Sequence, residues 1–445
     1  MKSNTTRSYA SEFKKLEQSL FSEQPEFIRD LRRQSMSRFS ELGFPTTRME
    51  DWRNTSVKSI AKAHYRRSVE QPEDVTPEDL APYLADGAIR VVILNGRFSS
   101  TLSSLEGIPE TVEIKSLGEA FHGSTQKLEP YLGRIADYSH HAFVALNTAF
   151  MEDGVFLYVP ENQVVDRPIH LMYLFIPLRD KALFHPRNLI YAGPNSQATV
   201  MEHYIGLDKE SRRLQKSYFT NHVTELVMED NSSFQHIKLQ EESGESDHIS
   251  TIKILQRTRS TLSTVSVSMG GALTRNDVTV VLEGEGCNST MSGLVLARED
   301  QHVDNHTFVH HMKPHCTSHQ LYKGIYGGRS HGVFNGRILV HQDAQKTNAD
   351  QANRNLLLSR DALVHSNPQL EINADDVRCT HGSTTGQVDE ESVFYLRSRG
   401  LNPKMAHFLL IQGFATEIID SIGNESVRNN ISQLLSHWLT NTVGR

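Results

Sequence analysis

The sequence predicts a mainly β protein with helical segments at both ends, and three observations carry that prediction. Between about residues 150 and 385 apolar and polar residues alternate with period two, as where Val265, Val267 and Met269 interleave with Thr264, Ser266 and Ser268. Such runs begin near Ile237, Ile252, Val265, Val278, Leu294 and Phe308, 13 to 16 residues apart, with turn residues between them and no room for a helix. Towards both termini the apolar spacing changes to three and four. Evenly spaced short strands suit a sandwich, a barrel or a β-helix, and periodicity alone does not choose among these.

Taken in order, the first region, about 1–130, opens on two amphipathic helices. Tyr9, Phe13, Leu16 and Leu20 share one stripe; Phe27, Ile28, Leu31, Phe39 and Leu42 form a second, stopped by Gly43 and Pro45. Ile89 to Leu94 reads as a short buried strand ended by Asn95-Gly96, a turn dipeptide. The strand-rich body follows, over 131–387. From 388 to 445 the punctuation is helical again. Asp389 caps a helix with Glu390 and Glu391 in its first turn and Gly400 at its end; Asn402-Pro403 starts another, closed near Gly423. Met405, Phe408, Leu409, Ala415, Ile418, Ile419 and Ile422 give that helix an apolar face, and a third helix is expected from Glu425 to about Leu439. Such helices can cover the exposed edge of a strand-rich body or form a partner surface.

Composition narrows the function classes. With 38% apolar and 22% charged residues the chain is globular, and a formal charge of −7 argues against nonspecific nucleic-acid binding, which needs a basic face. The longest strongly apolar stretch, Ile169 to Leu178, is far short of a membrane span, and no apolar run follows Lys2 and Arg7, so a cytoplasmic protein is expected. Three cysteines, Cys287, Cys316 and Cys379, form no C-x-x-C pair. They supply neither a disulfide framework nor the four thiolates of a ferredoxin-like cluster.

ATP hydrolysis is not expected of this chain. Lys346-Thr347 is the nearest approach to a phosphate-binding loop, but Gln345 precedes it where a glycine is needed. G-x-S-x-G and H-E-x-x-H are absent too. The most suggestive run is Asp375-Asp376-Val377-Arg378-Cys379-Thr380-His381-Gly382. In a strand Cys379 and His381 project from one face, presenting a thiol and an imidazole, both iron ligands, and Arg378 would lower the thiol pKa if it lies close to the sulfur. The plainer alternative is a buried apolar cysteine beside a hydrogen-bonded histidine. His310-His311, His315-Cys316 and His319 invite a metal reading, but Pro314 breaks the helix that would align them, which favours a hydrogen-bonded, histidine-rich surface. Cys287, between Gly286 and Asn288, reads as a turn residue. A carbohydrate-active β-helix enzyme is disfavoured because Asp375 and Asp376, being adjacent, face opposite ways in a strand.

Several runs resemble the SufB/SufD family core: Val333-Phe334-Asn335-Gly336-Arg337, Ala344-Gln345-Lys346-Thr347, Gln351 to Leu358 and Asn367-Pro368-Gln369-Leu370-Glu371-Ile372. Cys379-Thr380-His381-Gly382 and Phe394-Tyr395-Leu396-Arg397-Ser398-Arg399-Gly400 continue the series in family order. The likeness is strongest over about 265–425; Phe44-Pro45 through Glu50-Asp51-Trp52 is similar to a weaker amino-terminal signature, and 53–150 matches little. The chain looks more like the SufD branch than SufB. SufB proteins carry Glu-His-Glu where Thr380-His381-Gly382 stands and a cysteine at the place of Leu396, and Leu370-Glu371-Ile372 leaves no counterpart of the SufB cluster cysteine.

The resemblance implies a right-handed parallel β-helix core between an amino-terminal domain of helices and short strands and carboxy-terminal helices. It implies a non-catalytic assembly subunit that pairs with SufB, or with itself when SufB is missing, and binds the ATPase SufC, whose ATP-driven dimerisation exposes a nascent iron–sulfur cluster site between SufB and SufD. His381 matches the family histidine of that site, with the principal cysteine supplied by SufB and Cys379 assisting. The cluster is then transient and shared, and none is held tightly by the isolated chain. The implied SufC surface contains Phe394, Tyr395, Arg397, Arg399, Met405 and Phe408. A SufB-like scaffold and a purely structural support subunit are the alternatives.

Overall fold

The computed structural model describes residues 4–68, 70–207 and 216–443. Strand accounts for 40% and helix for 25%, and the centre is a β-solenoid of about eight coils. Among the described residues the strands fall into two sheets, of 11 and 10 strands, and from Arg187–Ala192 onward successive strands go alternately to one sheet and the other. Within the solenoid all neighbours pair in parallel; in the second sheet the register steps by 27 to 31 residues per coil from Thr261 onward. Each coil thus holds two strands, and the 13-to-16-residue spacing of the sequence is half a coil. All six expected runs lie within strands, from Ser233–Glu241 to His302–His311.

The two ends of the solenoid differ. At the amino end Arg97–Ser104 pairs antiparallel with Ile89–Leu94, and Glu113–Ser116 antiparallel with Gly154–Val159, so each sheet ends on a reversed strand. Helices Asn4–Leu20, Glu26–Leu42 and Ala142–Phe150 lie on the outer face of the first sheet, against Leu183, Phe219, Ile249 and Leu273, and are joined by an aromatic cluster in which Tyr9, Phe39, Phe44 and Phe150 meet edge to face. At the carboxy end the last strands are Leu363–Ile372 and Arg378–Gly386, each paired on one side only among the described residues. The terminal helices do not cover these edges. Pro403–Ile419 and Glu425–Val443 lie on the outer face of the second sheet, where Ile411, Ala415, Ile418, Ile431 and Leu435 pack on Ile237, Val265, Val267, Leu294 and Ile325. No helix among the described residues is long and apolar enough to cross a membrane.

That packing inverts the usual solenoid pattern in the second sheet. Val265 and Val267 point outward under the helices, whereas Thr264, Ser266 and Ser268 point into the coil and are buried there. In the first sheet Val278, Val280 and Leu282 point inward as expected. Part of the interior is therefore polar and internally bonded. Tyr204 and Thr224 donate to the buried Glu202 carboxylate at 2.7 and 2.6 Å, and His248 bridges Glu242 at 2.6 Å and Lys238 at 2.9 Å.

One corner repeats from coil to coil. Asn195, Asn231, Arg259, Gly286, His315 and Lys346 all have positive φ, and each N–H donates to a carbonyl of the next coil at 2.7–3.1 Å. A buried small residue follows every time: Ser196, Ser232, Ser260, Cys287, Cys316 and Thr347. The hydroxyls of Ser232, Ser260 and Thr347 donate to the carbonyl three residues back.

Candidate functional site

Cys379 and His381 lie on Arg378–Gly386, the last strand of the second sheet, in register with Ala349 and Gln351 of the preceding coil. Strand alternation puts both on the face that continues the solenoid interior. Cys379 is half-buried against the main core, and His381 is exposed at the mouth of the coil. Arg378 alternates to the opposite face and does not lower the thiol pKa as expected; burial raises it, partly offset by a backbone hydrogen bond from Ala349.

Behind His381 the interior is amide-lined. Gln351 Nε2 donates to Gln320 Oε1 at 2.6 Å, Thr307 Oγ1 donates to the same oxygen at 3.2 Å, and Gln351 Oε1 is buried with no partner. Gly336, inside the quoted Phe334-Asn335-Gly336-Arg337 run, is explained by this amide: a Cβ there would sit 2.3 Å from Gln351 Nε2. Ser383 Oγ donates to Ser366 Oγ at 2.7 Å and ties the last strand of one sheet to that of the other. Around this mouth Leu363 and Ile372 are 51% and 42% exposed.

The other sequence candidates separate. His310 lies on the outer face beside Phe308 and His341; His311 is buried, hydrogen-bonded to Ser318 at 2.8 Å and pushed down to about 4 by burial. His315 is a positive-φ corner residue, and His319 pairs with Asp350. No three His, Cys, Asp or Glu side chains among the described residues are grouped to hold a metal. Lys346 is likewise a corner residue, ion-paired with Asp376, so Asp376 does not form a carboxylate pair with Asp375. Cys287 follows a turn glycine, as expected, and is buried.

The expected partner residues lie on two neighbouring helices. Asp389 caps Glu390–Ser398 through the Ser392 N–H, and this short helix exposes Phe394 (72%), Tyr395 (57%) and Arg397, with Arg399 at its end over the Tyr395 ring. On Pro403–Ile419 the apolar residues divide between two directions. Met405 and Leu409 face outward, while Phe408 is half-buried on the helix-covered core. A single apolar face was expected; the helix is apolar on more than one side.

Sequence reasoning missed a cleft of about 310 Å³ between residues 42–52 and the outer face of the first sheet. Arg275 is its anchor: the guanidinium sits 3.7 Å over the Trp52 ring and pairs with Asp277 and Asp304 at 2.8 Å each. Glu50-Asp51-Trp52 was visible as a motif, but its partner was not.

Comparison with known proteins agrees with this architecture. A family model described as "SUF system FeS cluster assembly, SufBD core domain" matches residues 175–414, and one described as "SufBD protein N-terminal region" matches 3–171. An iron-sulfur cluster assembly SufBD family protein of Synechocystis sp. is 34% identical over 89% of this chain and 87% of its own length. Iron-sulfur cluster assembly protein SufD of Escherichia coli is 29% identical over 89% of this chain and 90% of its own, and that of Bacillus subtilis 25% over 93% and 94%. With the core model covering more than half of its residues, this chain belongs to the SufBD family of SUF-system iron–sulfur cluster assembly proteins.

Proposed function

We propose that this chain is a SufD-type, non-catalytic subunit of a cytoplasmic SUF complex, pairing with SufB through its terminal coil and recruiting SufC through its terminal helices. The observation that carries the reading is the placement of Cys379 and His381 on the last strand, at the end of the solenoid where both sheets leave an edge open. Strand edges of nine and ten residues present rows of unpaired N–H and C=O groups, which pair readily with a second strand. A partner docked there brings its own ligands beside a thiol and an imidazole that cannot complete a cluster alone. The nascent cluster is cargo, formed between two chains and passed on. Phe394 and Tyr395 on one helix and Met405 and Leu409 on the next supply exposed apolar side chains for SufC, which brings the ATP hydrolysis.

Co-purification with SufB and SufC, followed by anaerobic iron and sulfide analysis, tests the reading. His381→Ala removes one ligand from an exposed position, so the complex and its ATPase activity should persist while cluster content falls at least about tenfold, the loss expected when a ligand is removed. Cys379→Ser should lower it less. Normal iron and sulfide in the His381→Ala complex would show that the histidine is structural. Failure of assembly in both variants would instead place these residues in the docking contact.

A further inference from the structure

We propose that Cys287 and Cys316 form a redox-active dithiol, which a peroxide converts into an intramolecular disulfide joining two successive coils. The proposal is independent of the cluster site and of the partners. The two cysteines are 29 residues apart in sequence, but the register Asn288↔Thr317 places the residues just before these on adjacent rungs of one corner. Both are buried and both are free thiols. They address the same oxygen: Cys287 Sγ lies 3.2 Å and Cys316 Sγ 3.3 Å from the Gly284 carbonyl. Neighbouring parallel strands are about 4.8 Å apart, within the Cα separation a disulfide spans, so the bond needs little backbone movement.

The rest of the column sharpens the point. Every other rung from Ser196 to Thr347 carries a hydroxyl residue, and sulfur occupies only these two adjacent rungs. Their surroundings make them unequal. The neighbouring Cys316 thiol lowers the Cys287 thiol below its ordinary value; burial opposes this, and the Ser260 hydroxyl, 3.8 Å away, adds to the lowering. Cys316 is pushed up, first by Cys287 and then by burial. Cys287 is thus the nucleophile and Cys316 the resolving thiol. The corner beside the pair is built of Gly284 and Gly286; the backbone of Arg257 and Thr258 packs directly on Gly284, and the Arg259 side chain lies next to Gly286.

The chemistry balances with hydrogen peroxide as the two-electron oxidant. The Cys287 thiolate attacks one peroxide oxygen, the O–O bond breaks, and the departing hydroxide takes a proton to leave as water, giving a sulfenic acid. Cys316 sulfur then attacks the sulfenic sulfur; the S–S bond forms, the S–O bond breaks, and the Cys316 proton leaves with the hydroxide as a second water. Cys379 stands outside the reaction, since Thr347 occupies the corner rung beyond Cys316 and Cys379 lies on the terminal strand.

The test exposes the folded full-length chain to hydrogen peroxide, quenches it, alkylates under denaturing conditions and maps all three cysteines by peptide mass spectrometry. The half-buried Cys379 gauges the exposure. The expected result is a linked Cys287–Cys316 peptide, two hydrogen masses below the sum of its parts and reversed by dithiothreitol. In Cys316→Ser the link is lost and dimedone captures Cys287 as its sulfenic acid. In Cys287→Ser, Cys316 stays reduced and alkylates fully. Complete alkylation of both cysteines after Cys379 has been oxidised overturns the proposal. So does a link to Cys379 or to a second chain, or a Cys287–Cys316 link that forms only after unfolding in urea.

Discussion

Arg275 shows what one buried side chain does in this molecule. Its guanidinium balances two carboxylates and, by donating to the Asp51 carbonyl at 2.7 Å, fastens the 50–52 segment to a strand 224 residues later in the sequence. Burial alone would push the Asp304 carboxyl up; the charges of His306 and Arg275 outweigh it and hold the group at about 2. Arg275→Met keeps the volume and removes the charge, leaving Asp277 and Asp304 uncompensated, so it should cost about 3–5 kcal/mol in denaturant unfolding. A loss under about 1 kcal/mol would show that water or His306 compensates the carboxylates. None of this was legible in advance. Trp52 and Asp51 stood out as a motif, but a contact over such a separation leaves no period in the sequence, and a lone arginine in a strand reads as a surface residue.

Among the elements, the terminal helices were the most legible and the most misleading. Their bounds follow from local chemistry, since the Asp389 and Asn402 side chains accept from the Ser392 and Met405 N–H groups and mark each start. Their facing does not, because apolar side chains all round a helix do not say which are covered. The structure divides Pro403–Ile419 into residues that hold it down and residues left outward, and substitutions should divide likewise. Ile418→Asp buries an unpaired carboxylate against the second sheet and should cost several kcal/mol or detach the segment, seen as a lowered melting temperature. Met405→Asp with Leu409→Asp should leave melting within about 0.5 kcal/mol of the parent yet reduce SufC recovery in a pull-down. Unchanged recovery with both outward residues charged would move the SufC surface elsewhere. The same ambiguity governs the strand of Val265 and Val267: alternation was plain, but which of its faces met the interior was settled by helices from the other end of the chain.

For the whole molecule, a partly polar interior has a cost in acid. Burial pushes His185 and His222 down to about 3 and His302 and His311 to about 4, all below the ordinary value. Unfolded, these groups take up protons below about pH 6.5; folded, they refuse them until about pH 4, so the unfolded chain binds more protons and stability falls as pH drops through that window. At pH 5 the loss is on the order of 2 kcal/mol per histidine. Asp247, raised to about 6 by burial, opposes this but is one group against four. Melting temperatures should therefore be several degrees lower at pH 5 than at pH 7.5; equal values would mean that the histidines are charged or hydrated in the folded state. The β class was legible from spacing because each coil contributes two strands. The solenoid itself was not, since unequal coil lengths hide the repeat and the corner column mixes Asn, Arg, Gly, His and Lys. At the mouth, the shared face of Cys379 and His381 was legible from alternation, whereas the amide floor of Gln320 and Gln351 depends on pairing between coils.

The difference between the two ends also orders events in time. A ribosome delivers the end bounded by the two reversed strands first, and each later coil can add to an edge that already exists. Among the described residues the strand that carries Cys379 and His381 comes after all the other strands and before the three terminal helices. During synthesis every intermediate exposes some other, unfinished edge, and only the finished solenoid presents this one. A partner that recognises the terminal strands, as proposed, would therefore meet a body already built.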